Sequence, residues 1–126
     1  MSFEVGASKP LRAVHRLPWG TEAEREPHEH DYRIDVIVER EELDERGVVC
    51  DLDLLRAGLD DVLGGLEGRD LDEIRPAGAG GVTVELLARW LHGSLADVVE
   101  RAGGETLAIR VWEAPDAFGG YRAAVA

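Results

Sequence analysis

The chain has one cysteine, one lysine and no long apolar run, and each scarcity excludes something. A lone thiol, Cys50, cannot form an intrachain disulfide. Set in Val48-Val49-Cys50-Asp51, among core-type residues, it reads as a small buried side chain rather than a reactive one. Lys9 and the scattered arginines total 14 positive charges against 26 acidic residues, a net charge of -12. Phosphate backbones are gripped by clustered Lys and Arg, so nucleic acid is excluded as a partner. An anionic small substrate would need a local basic pocket, for which Arg12, Arg16 and Arg25 lie near in sequence, although each also reads as a surface charge. No stretch approaches the roughly 20 apolar residues of a membrane span. The start, Met-Ser-Phe-Glu-Val-Gly, has neither the basic nor the apolar part of a signal segment. The expectation is a cytoplasmic protein with no membrane partner.

What is present suits one folded domain over residues 1–126. Apolar residues make up 44% of the chain, enough for a single core at this length. Residues 3–17 read as an edge strand or half of a bulged hairpin, because Pro10 cannot donate to a ladder. Residues 18–27 form a polar loop. Tyr32, Ile34, Val36 and Val38 alternate with Arg33, Asp35 and Glu39, a half-buried strand with Ile37 as its exception. Asp51 caps a helix whose stripe is Leu52, Leu55, Leu59, Val62 and Leu66. Residues 67–81 read as a loop. Thr83 caps a second helix with Glu85 in its first turn, burying Leu87, Trp90, Leu91, Leu95, Val98 and Val99, and Gly103-Gly104 stops it. Leu107, Ile109 and Val111 mark a third strand ending at Trp112-Glu113. Ala114 to Gly120 turn the chain into a last strand from Tyr121. Strands, then helices, then strands imply an α+β layer: a four-stranded antiparallel sheet with two helices on one face, order ββααββ. Its two open edges call for protection, which closure into a ring of chains would supply.

Three of the four histidines carry the chemical signal. His28 and His30 stand two apart in Pro27-His28-Glu29-His30-Asp31-Tyr32, so on a strand they share a face. His15 lies upstream at the end of the first apolar segment. Three imidazoles around one zinc leave a tetrahedral position open and keep the metal's full charge, the arrangement of catalytic sites. On residue chemistry alone, ordinary strand histidines remain the competing reading.

The order of elements, His15, the His28-x-His30 pair, Gly47-Val48-Val49-Cys50-Asp51, Thr83-Val84-Glu85 and the strand-ending Glu113 resemble the family of 6-pyruvoyl-tetrahydropterin and 6-carboxy-tetrahydropterin synthases. The resemblance runs from about Phe3 to Tyr121 and implies a tunnelling fold, with Zn2+ on His15, His28 and His30. It further implies a homo-oligomer of stacked trimers, a hexamer, with sites between neighbouring chains. The implied ligand is a pterin, whose 2-amino group and ring N–H are two parallel donors suited to the Glu113 carboxylate. Thr83 and Glu85 match a helix start that lines the pterin pocket in that family, with Val82 in place of its proline. Helix capping explains Thr83 without a ligand, the helix dipole explains Glu85, and a strand-end surface charge explains Glu113.

The sequence departs from the family where the chemistry resides. Glu24, not the usual catalytic cysteine, stands four residues before His28, and Glu29 replaces the glycine between the histidines. Where the family has an Asp-His pair, this chain reads Glu67-Gly68, followed by Leu71-Asp72. His92, on the second helix, reads as a partly exposed residue and a poor substitute for the relay histidine. The resulting expectation is a zinc-dependent, lyase-like protein that binds a pterin or related fused ring with altered chemistry. Two alternatives stand beside it: an inactive pterin-binding homologue, and a variant that cleaves the side chain to a 6-hydroxymethyl pterin with Glu24 or Glu26 as base. For both glutamates, a solvated acidic loop is the competing reading.

Overall fold

The computed structural model describes residues 1–126. Strands β1 (Phe3–His15), β2 (His28–Arg40), β3 (Thr106–Ala114) and β4 (Ala117–Ala124) form one antiparallel sheet in sequence order. Between β1 and β2 lies a single helical turn, α1 (Glu22–Arg25). Between β2 and β3 lie α2 (Leu52–Gly64), a 3-10 turn (Leu71–Ile74) and α3 (Val84–Ala102). The expected α+β order ββααββ is the one observed, with α2 and α3 on one face.

Alternation sets the faces. Tyr32, Ile34, Val36 and Val38 of β2, Leu11 and Ala13 of β1, and Leu107, Ile109 and Val111 of β3 all point under the helices and are buried. Against them pack Leu55, Leu59 and Leu63 of α2 and Leu87, Ala88, Leu91, Leu95 and Val99 of α3. Each large apolar side chain so buried stabilises the fold by about 1.5–3 kcal/mol relative to exposure. Cys50 is buried, as its neighbours implied. Asp51 accepts from the N–H groups of Asp53 and Leu54 and starts α2. Gly103 ends α3 at φ 108°, a left-handed geometry that glycine adopts without penalty.

Four sequence expectations need correcting. β1 is unbroken through Pro10, which pairs with Arg33, because β1 is an edge strand and its missing donor costs little there. The loop of residues 18–27 contains α1, nucleated by a capping box between Thr21 and Glu24. The β3–β4 turn is only Pro115-Asp116, with Ala114 opposite Ala117, so β4 begins earlier than Tyr121. Ala117, Gly119 and Gly120 concealed a strand that is held there by pairing rather than propensity. His92 is buried at 7% exposure, its Nε2 against the Ala123 carbonyl at 3.0 Å and its ring against Tyr121.

Candidate functional site

One end of the sheet collects the chemistry. The β1–β2 register pairs His15 with His28 and Ala13 with His30, so all three imidazoles lie on the helix-facing side. Ring centroids are 5.4 Å apart for His15–His28, 5.8 Å for His15–His30 and 6.2 Å for His28–His30. Three imidazoles on one tetrahedral zinc, with Zn–N of about 2.0–2.1 Å, would have centroids about 5 Å apart. The trio is gathered but not closed: no set of three or more His, Cys, Asp or Glu side chains is drawn in tightly enough to hold a metal ion as it stands.

The donor chemistry nevertheless suits a divalent cation. His28 Nδ1 lies 2.9 Å from the Glu26 carbonyl and His30 Nε2 lies 3.2 Å from the Glu113 carbonyl. A carbonyl only accepts, so those nitrogens carry the hydrogens, and in the neutral tautomer the lone pairs fall on His28 Nε2 and His30 Nδ1. Backbone carbonyls fix metal-binding histidines in this way. Burial, reinforced by His30 and His28, holds the His15 imidazolium below its usual range, so the ring is neutral, as a ligand must be.

Beside the trio, the β2–β3 pairing ends at Arg33 and Trp112, and the β3–β4 pairing carries a bulge just beyond. The register shifts between Trp112 and Ala114, so Glu113 is the extra residue. Bulges re-aim side chains and break pairing. Where β2 and the end of β3 part lies a cavity of about 440 Å³ lined by Asp31, Tyr32, Arg33, Trp112, Glu113, Ala114 and Pro115. That volume is within the usual span of small-ligand sites, about 300–1,000 Å³. Tyr32 joins the two parts. It lines the cavity, and its ring lies 4.6 Å from that of His30 and 6.2 Å from that of His15. Burial first, and the Glu113 carboxylate second, push its phenol pKa upward, so it remains protonated.

The other sequence candidates are placed as follows. Glu24 accepts the Thr21 N–H at 3.1 Å in the α1 cap. Its hydrogen bonds with Thr21, and then the charges of His28 and His15, hold its carboxyl below the usual range. Glu26 ends α1 and offers its carbonyl to His28. Thr83 caps α3 through the Leu86 N–H at 3.2 Å. Glu85, in the first turn of α3, lies over β4, where a Cβ on Gly119 would come within 3.0 Å of its Oε1. Neither Thr83 nor Glu85 lines the cavity. Arg12 and Arg16 form no free basic pocket, because they pair with Asp31 at 2.8 Å and Asp72 at 2.6 Å. At the position of the absent Asp-His pair, Glu67 accepts the Arg12 N–H, and Gly68 stands at φ 71°, strained for a histidine. His92 contacts β4 rather than the trio.

Sequence reasoning missed Tyr32 as a site residue and treated it only as core. The available signal was its parity: His28, His30 and Tyr32 share one face at steps of two.

The comparisons with known proteins agree with this architecture. The chain superposes on the 6-pyruvoyl tetrahydropterin synthase of Caenorhabditis elegans with a TM-score of 0.68 at 19% identity, covering 98% of this chain and 96% of that one. For the Plasmodium falciparum enzyme the TM-score is 0.76 at 14% identity, with 98% of each chain covered. A Plasmodium vivax 6-pyruvoyltetrahydropterin synthase, solved with its catalytic glutamate replaced by cysteine, gives 0.77 at 10% identity, covering 98% and 99%. These likenesses establish the fold. No curated protein matches the sequence. The model of the family described as 6-pyruvoyl tetrahydropterin synthase matches residues 4–124. Nearly the whole chain is matched, and the protein therefore belongs to the 6-pyruvoyl tetrahydropterin synthase family.

Proposed function

We propose that this protein binds a pterin or closely related fused-ring ligand, with zinc on His15, His28 and His30 and the ring held by Glu113, and that its chemistry differs from that of the familiar synthases. One observation carries the reading: three imidazoles gather on one face directly beside a cavity that contains a bulge-presented carboxylate. Zinc, when bound, would supply a Lewis acid for side-chain oxygens. Glu113 would accept two parallel N–H donors from the ring. His28 and His30, fixed by the carbonyls of Glu26 and Glu113, would present their other ring nitrogens, Nε2 and Nδ1, to the metal.

A proton-transfer group is the weak point of catalysis, and this favours a second reading, a binding protein without turnover. Glu24 is committed to a helix cap and held in its charged form, which makes it a poor base. Glu67 and Gly68 supply no relay histidine. Glu26 keeps a side-chain-cleaving activity open, since a glutamate is the catalytic residue of the Plasmodium vivax relative.

The association reading is a closed ring of chains, two trimers stacked as a hexamer. The loop after α2 covers β1 near its end, through Gly68 N–H to the Arg12 carbonyl and Val14 N–H to the Arg69 carbonyl. The edge from Phe3 to Pro10 and the outer edge of the eight-residue β4 are left open within one chain. Head-to-tail pairing of these edges would preserve the antiparallel alternation and remove both.

The test is metal analysis together with turnover of dihydroneopterin and of its triphosphate by purified protein. One zinc per chain with product formation supports the lyase reading. Zinc with ligand affinity that drops on Glu113→Ala, and no product, supports the binding reading. Sub-stoichiometric zinc and no pterin affinity would reject both.

A further inference from the structure

Tyr32 occupies a position that the proposed roles of zinc and Glu113 leave unused. It is 4% exposed, packed on the histidine trio on one side, and yet forms part of the cavity wall together with Glu113. None of the three histidines lines that cavity, and Tyr32 is the cavity-lining side chain whose ring packs on the trio. Its hydroxyl bonds to no protein group. No buried side-chain nitrogen or oxygen lacks a partner, so this hydroxyl meets open space instead of being sealed in the core. Buried tyrosines ordinarily satisfy their hydroxyl within the protein. Here, the unbonded donor belongs to a residue that lines the ligand space and whose ring packs edge-on to His15 and tilted against His30.

We propose that Tyr32 is a specificity-determining residue, donating its hydroxyl hydrogen to the first oxygen of the ligand's side chain. The inference rests on the pterin-binding reading and deepens it. A ligand whose ring donors meet Glu113 and whose outer oxygens approach the imidazoles must pass Tyr32 between them. The group presented there is the start of the side chain, an acceptor that a phenol can serve while the neighbouring carboxylate, itself only an acceptor, cannot. Tyr32 thereby distinguishes ligands bearing an oxygen at that place from the bare ring. A buried donor left unpaired by a ligand that lacks the oxygen adds to the discrimination.

The experiment compares two probes, neopterin with its polyol side chain and unsubstituted pterin, on the full-length protein and on Tyr32→Phe. Phenylalanine keeps the ring and its packing and removes only the hydroxyl. The expected result is a loss of neopterin affinity of about two- to tenfold, the scale of one neutral hydrogen bond, with pterin affinity unchanged or raised and zinc content unchanged. Glu113→Ala should weaken both probes. Equal neopterin affinity in Tyr32→Phe and the parent overturns the proposal, and so does an equal loss for both probes, which would mark a structural role. Absence of binding of either probe to the parent protein overturns the pterin reading itself, and is distinct because Glu113→Ala then changes nothing.

Discussion

Asp35 is the clearest case of one side chain coordinating several strands. On the sheet face away from the helices it accepts from Ser8 of β1 at 2.6 Å, from Trp112 Nε1 of β3 at 2.7 Å and from Arg33 of its own strand at 3.2 Å. Burial pushes its carboxyl upward, but the Ser8, Trp112 and Arg33 hydrogen bonds prevail and hold it below the usual range. Asp35→Ala strands the Trp112 N–H and should cost about 1–3 kcal/mol, read as a shifted urea midpoint. His15 gives a pH dependence of definite sign. Its folded-state value lies below the unfolded one near 6.5, so the unfolded chain binds the proton first. In chelator, stability due to this group is full above about pH 6.5 and declines as pH falls below it. His15→Asn should flatten that part of the curve, and an unchanged slope would refute the assignment. The depressed carboxyls of Asp31 and Asp35 act lower, with stability lost as pH falls below the ordinary aspartate range.

At the scale of elements, helix ends and close approaches decide. Thr83 satisfies one orphan N–H of α3, so Thr83→Ala should destabilise by about 1 kcal/mol with little effect on ligand affinity, because Thr83 does not line the cavity. A strong loss of affinity at unchanged stability would show that it belongs to the site. Gly104, just beyond α3, allows the helix to turn closely into β3. A Cβ there would stand 2.4 Å from Val38 Cγ1 and 2.7 Å from Val99 Cγ1. Gly104→Ala should therefore cost about 1–3 kcal/mol through overpacking, measurable by thermal unfolding. The helix caps, the two helix stripes and the β2 alternation were legible in the chain because each depends on neighbours a few residues away. The β3–β4 turn and the start of β4 were not, because Ala117, Gly119 and Gly120 carry no strand preference and are held by pairing to β3. Nor was the bulge at Glu113, which arises only where two strands are laid side by side.

For the whole molecule, charge and open edges oppose each other. A net charge of -12 on a 13.8 kDa chain repels its copies, while two open strand edges favour pairing. Sedimentation should give a species of six chains whose assembly strengthens with salt, because screening weakens the repulsion and leaves backbone pairing intact. A 13.8 kDa species at all salt concentrations would sink the ring. No helix is long and apolar enough to cross a membrane. The outer face of the sheet carries ion pairs, including Arg12 with Asp31 and Arg122 with Glu39. Each exposed pair is worth at most about 1 kcal/mol, so this face contributes little to the stability of a single chain.

By itself the sequence determined the α+β class, the helix-covered face and the common face of His28 and His30, because periods of 2 and 3.6 are local consequences of backbone geometry. Only the tertiary structure decided that His15 joins them, that Tyr32 links the imidazoles to the Glu113 cavity, that Glu24 is tied up in a cap, and that His92 is buried against β4. Those facts depend on strand register, on one bulge and on contacts between residues up to 83 positions apart, such as His30 with Glu113. No periodicity encodes them, since each is fixed by which surfaces pack once the core has closed.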